Sequence, residues 1–168
     1  MNDTKIVQAL LRSRVEAERV ITDLRSTGIS PDDISLLLPD AGILDHIATR
    51  AAVTPSDATP RPGSPLGMLR GLGSVHCSGV EHLLGAGPIR RVLDGTGIRT
   101  VAAALRSLGV TEQRAAMYEG RIRDGGIWMA VHTSLGKELG DARRILALHG
   151  GYEVGIAARP APAFVARS

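Results

Sequence analysis

The sequence predicts an α+β fold: a ferredoxin-like pair of split β-α-β units with a four-stranded antiparallel sheet, and a mostly helical, glycine-rich insertion between the units. Three observations lead there. Residues 5–39 read as strand, helix, strand. Residues 126–158 repeat that order at a similar length. The residues between them, 40–125, are too many for a plain loop.

In the first unit, KIVQALL (5–11) is a buried strand by its apolar run. Ser13 with Glu16 forms the S-x-x-E pattern that opens a helix. Ala17, Val20, Ile21 and Leu24 then recur at helical spacing, and Gly28 is placed to end the helix. SPDD makes a turn, and DISLLLP (33–39) is a second strand stopped by Pro39. In the second unit, GIWMAVHT (126–133) is an apolar strand behind Gly125 and Gly126. Ser134 is expected to cap a helix that carries Leu139, Ala142, Ile145 and Leu146 on one face. Gly150–Gly151 ends it, and YEVGIAA (152–158) is the last strand. The alternative, both units in one parallel sheet, is less common at this size.

The insertion carries a short helix over 41–52 and a flexible stretch over 54–65 with four prolines. Apolar, glycine-punctuated pieces follow up to Gly97. A helix over 100–109 ends at Gly109, and Thr111 opens another that stops at Gly125. The apolar faces of these helices need a partner surface, either the open face of the sheet or another subunit. The whole reads as one domain over 1–160, with a C-terminal tail at 159–168.

Composition narrows the function classes. The chain has 168 residues, 43% hydrophobic and 2% aromatic, so the core must be built from Leu, Ile, Val and Ala. Cys77 is the single cysteine, which excludes an intramolecular disulfide and every multi-cysteine zinc pattern. It fits a reducing compartment. With no apolar signal core at the N-terminus and no run of about 20 apolar residues, a cytoplasmic protein without an integral membrane segment is expected. The net charge of +3 comes from scattered arginines whose longest runs are pairs, Arg90–Arg91 and Arg143–Arg144. Nucleic-acid binders concentrate such charge and add stacking aromatics, so no nucleic-acid partner is expected.

The stretch SVHCSGVEHLLGAGP (74–88) gathers His76, Cys77, Glu81 and His82, all metal-ligand types. His76 and His82 are six apart, which suits neither one helical face nor a common zinc loop. A metal would need His46, His132 or a carboxylate brought in by folding. The reading preferred is packing, with the histidines incidental and no metal bound. DGTGIRT (94–100) precedes a helix whose N-terminus can hold an anion, but it lacks the phosphate-loop spacing and reads as a plain helix start. His132 with Ser134 is a nucleophile pair only if a carboxylate orients the base. Trp128 reads as core, and Cys77 as a small buried thiol rather than a reactive one.

One resemblance covers residues 5–158. LRSLGVTEQRAAMYEGRIRDGGIWMAV (105–131), the opening strand with its EAER helix, and GVEHLLGAGPIRRVLDGTG resemble the bacterial general stress protein domain family, the heat-induced stress protein, YflT-like group. The matching motif positions are Gly87 and Pro88 in the A-G-P turn, then Tyr118, Glu119, Gly125 and Gly126, all read as structural. Such relatives lack the histidines of the 74–88 stretch, so these are departures. The resemblance implies a stress association and no catalytic residue. It gives a non-enzymatic general-stress-response protein acting through self-association or partner binding, without a cofactor, and as a homo-oligomer with a dimer favoured. The alternatives are a small-ligand-binding regulatory module, its ligand-binding residues unknown, and a metal or thiol site on His76, Cys77 and His82.

Overall fold

The computed structural model describes residues 4–39, 69, 73–94 and 98–158. The expected segments at 41–52, 54–65 and 159–168 lie outside them, as do the side chains of His76, Glu81 and His82. Elements run β1 (Lys5–Leu11), α1 (Arg14–Ser26), β2 (Ile34–Pro39), β3 (Gly73–Cys77), β4 (Val80–Ala86), α2 (Pro88–Asp94), α3 (Val101–Ser107), α4 (Glu112–Arg123), β5 (Ile127–Thr133), α5 (Gly136–Leu148) and β6 (Tyr152–Ala158). Both strand-helix-strand units form as the sequence predicts.

The strands make one antiparallel sheet in the order β3-β4-β2-β5-β1-β6. The expectation of four strands therefore falls short: among the described residues there are six. Within the described part of the insertion, β3 and β4 form a hairpin that extends the sheet beyond β2, where helix was expected to predominate. Glycines hid these strands, because they read as loop punctuation. Gly79, at φ +84°, makes the hairpin turn. Gly85 lies in the row Leu37–Gly85–Gly73, where an added Cβ would meet the Val75 and Leu37 side chains at 3.1 and 3.2 Å. The sheet needs the gap that glycine leaves.

Helices cover both faces of the sheet. On the first, Ala17, Val20, Ile21 and Leu24 of α1 and Ala142, Ile145 and Leu146 of α5 pack against Val7, Ala9, Leu11, Leu36, Met129 and Val131. On the second, α2, α3 and α4 bring Ile89, Leu105, Ala115, Tyr118 and Ile122 against Ile6, Leu10, Leu37 and Trp128. Two covered faces explain why β1 and β5 read as continuous apolar runs rather than alternating ones. The buried polar residue of β1 is Gln8, whose Oε1 accepts the Trp128 indole N–H at 3.2 Å. The insertion's apolar helix faces are thus spent on this chain's own sheet.

Local signals set most boundaries. Ser13 Oγ accepts from Glu16 N–H at 3.2 Å, and the Glu16 carboxylate accepts from Arg12 N–H at 2.9 Å. Ser134 does not cap α5. Leu135 holds the cap position, and Thr133 Oγ1 accepts its N–H at 3.0 Å while donating to Glu138 at 2.7 Å. No helix among the described residues is long and apolar enough to cross a membrane.

Gly87 carries the tightest junction. Its φ is +78°, and an added Cβ would lie 1.9 Å from the Ile34 carbonyl oxygen. Pro88 follows at the first helical position of α2, where its missing N–H is harmless. Gly87→Ala is expected to destabilise the fold by ~3 kcal/mol, because a left-handed backbone and a backbone clash add. Urea unfolding of the pair of proteins measures this.

Candidate functional site

The strongest candidate surface is the β6 edge of the sheet, and the chain builds it with care. β6 pairs with β1 in unbroken register from Ala158 opposite Lys5 to Gly155 opposite Gln8. Toward its start the register shifts, so that Glu153 and Val154 together face the single residue Ala9 before Tyr152 meets Leu10. This is a β-bulge. Glu153 takes φ +53°, the one positive φ outside glycine among the described residues. The bulge frees the Glu153 carbonyl from the ladder, and the Tyr118 hydroxyl donates to it at 2.6 Å. Arg114, one turn earlier on α4, donates to the Tyr118 oxygen at 3.0 Å, and its guanidinium lies over Gly155, 2.2 Å from where a Cβ would sit. At the strand's first residue, the Arg12 guanidinium covers the Tyr152 ring at 4.3 Å. The ring of Tyr118 is fully buried, and burial pushes its phenol above the usual range, against the opposing pull of Arg114.

The same helix holds the opposite end of the sheet. The Glu119 carboxylate accepts Ala102 N–H at 2.9 Å in the first turn of α3, beside Thr100, whose Oγ1 accepts Ala103 N–H at 3.1 Å. The helix start at DGTGIRT, weighed as an anion site, is therefore occupied by this chain's own side chains. Arg123 bonds Glu119 at 3.3 Å and donates to the Gly79 carbonyl at 3.0 Å in the β3–β4 turn. Ser78 N–H adds a bond to the Arg99 carbonyl at 2.7 Å. Gly125 follows α4 at φ +104°, and Gly126 fits where a Cβ would meet the Arg121 carbonyl oxygen at 2.9 Å. Gly87, Pro88, Tyr118, Glu119, Gly125 and Gly126, the six positions that the sequence resemblance singles out, thus sit at or bond to junctions.

Cys77 ends β3 beside this turn, half-buried, with Glu119 close enough to act on it. Burial first, and then that carboxylate, push its thiol up to about 11. A thiol so placed is a poor nucleophile at neutral pH. Among the described residues no group of three or more His, Cys, Asp or Glu is placed to hold a metal ion.

His132 meets Ser35, not Ser134. Its Nε2 lies 2.7 Å from the Ser35 Oγ, which also accepts Ile89 N–H at 3.0 Å. Ser35 is fully buried, so this bond pair ties α2 to β2 and β5. Nothing in the sequence marks Ser35, a lone polar residue within an apolar run. On the outer face of α1, an open cavity of about 330 Å³ is lined by Val15, Glu18, Arg19, Thr22, Asp23 and His149, with His149 Nε2 2.5 Å from Asp23. Glu18, Arg19 and Asp23 bring charge to its wall beside the apolar Val15.

No protein-family model, curated protein or solved structure matches this chain.

Two outcomes are expected. At pH 8, alkylation of Cys77 in the folded chain runs about 100-fold slower than that of a thiol at 9.0, and the rate keeps climbing through pH 10. A thiol-specific reagent followed by mass spectrometry reads this. Tyr118→Phe costs about 1 kcal/mol by leaving the Glu153 carbonyl without its donor. Because the folded phenol is raised, the wild type's stability is full below pH 10, its unfolded value, and declines above it. Chemical denaturation across that range should show the decline shrink in Tyr118→Phe.

Proposed function

We propose that this chain is a non-enzymatic protein of the general stress response that works by association, with itself or with a protein partner. The observation that carries the reading is the β6 edge: a seven-residue strand with β1 on one side and no strand on the other among the described residues. Its outer backbone N–H and C=O groups form a row able to add another strand. The support expected from an unpartnered insertion lapses, because those helices cover the second face of the sheet.

The four strands β2-β5-β1-β6 with α1 and α5 support a ferredoxin-like nucleus, to which the insertion adds a hairpin and a second helical layer. The stress assignment rests on the motif resemblance alone, and a cytoplasmic site of action goes with it. The regulatory-module reading has only the charged cavity on α1 behind it, and the metal or thiol reading has a suppressed thiol against it.

Native mass spectrometry of the purified, untagged chain separates these readings. An oligomer with no added mass is the expected result, alongside a rise in the protein's abundance in its host after heat shock. A retained metal or small-molecule mass overturns the association reading in favour of the metal site or the regulatory module.

A further inference from the structure

We propose that two copies of this chain pair edge to edge through β6, antiparallel about a two-fold axis at Ile156. The inference rests on the association reading above and names its partner and surface.

The strand itself argues for the pairing. Edge strands that must stay alone carry lysines, prolines or bulges along their length. β6 has one charged residue in seven, no proline, and its bulge only at Glu153–Val154, near its start. The stretch in regular register with β1 is Gly155–Ala158, and its one large exposed apolar side chain is Ile156. An antiparallel pair of identical strands is an isologous contact that closes on itself, so it makes a dimer and not a fibre.

Two observations fix the axis. Ile156 is 48% exposed, while Val7, its neighbour across β1, is fully buried. An axis at Ile156 sets the two copies of this side chain opposite each other, with Cβ atoms roughly 4.5–5.5 Å apart, and covers both. Val154 then meets Ala158, and Gly155 meets Ala157, so no like charges oppose one another in the paired stretch. The second observation is Arg114. Its guanidinium lies over Gly155, so an axis at Gly155 would place two such cations side by side on one face, a destabilising arrangement. Moving the axis one residue, to Ile156, sets the two arginines in different rows.

The experiment uses the full chain. Light scattering after size exclusion at about 100 μM is compared for wild type, Ile156→Lys, and two single-cysteine variants built on Cys77→Ser: Ile156→Cys and Val15→Cys. Val15 is exposed on α1, so it controls for random collision. Circular dichroism melts check that each variant folds. The expected result is a wild-type dimer that becomes a monomer in Ile156→Lys with its melt retained. Mild oxidation then cross-links Ile156→Cys and leaves Val15→Cys uncross-linked, since Cβ atoms that close reach disulfide geometry after a small shift. A wild-type dimer that survives Ile156→Lys, with Ile156→Cys uncross-linked, overturns the β6 interface while self-association stands. A wild-type monomer at that concentration overturns self-association itself. It would leave the edge to another protein or to residues 159–168 of the same chain.

Discussion

Everything in this fold hangs on the pairing of β1 with β5. Seven residues of each run in antiparallel register, from Lys5 opposite Thr133 to Leu11 opposite Ile127. Both are interior strands of the sheet, and both are buried on both faces. Apolar strands of this kind are stable only when covered twice. That requirement gives the insertion its structural purpose: α2, α3 and α4 supply the cover that α1 and α5 cannot. Without them, Ile6, Leu10, Leu37 and Trp128 would face water.

The helix α4 transmits this requirement across the molecule. Arg114 and Tyr118 reach the β6 bulge, Glu119 caps α3, and Arg123 holds the β3–β4 turn. Four residues of one helix therefore tie three separate elements to one rod. The bonds are polar and the packing beneath them is apolar, through Ala115, Tyr118 and Ile122. Direction comes from the first and cohesion from the second. Tyr118 contributes both, with a buried ring and a bonded hydroxyl.

What the sequence made legible was local. Helix periodicity in 14–26 and 136–148, and the apolar runs flanking them, depend on neighbours a few residues away, and these elements lie where the pattern puts them. What escaped depends on distant partners. The β3–β4 hairpin looks like loop because its glycines have meaning only against Leu37 and Val75. Glu119 caps a helix that starts 18 residues upstream, at Val101, and no spacing rule announces that. Thr133 replaces Ser134 at the start of α5 because the turn aims the earlier side chain at Leu135 N–H. The bulge at Glu153 could not be read at all, since a register shift exists only between two strands. Tyr118 and Glu119 stood out by resemblance, and only the fold supplied their reason. The histidine-rich stretch tempted a metal reading, and the described part of it, Cys77, carries a thiol raised by burial.

The long-range pairing of β1 has a consequence for how the chain comes to be folded. Its two neighbours, β5 and β6, begin at Ile127 and Tyr152. During synthesis, KIVQALL emerges before β5 and β6 and waits for partners more than a hundred residues away. Long loops cost little in final stability but slow the search for contacts. Throughout that wait a strand apolar on both faces is exposed, the kind of segment that aggregates or recruits chaperones. The hairpin, and the contacts of the three insertion helices with one another, are short in sequence and can form meanwhile. A nascent chain of this protein is therefore most vulnerable just before residues 127–158 appear, and heat, which speeds misassociation, would strike it there.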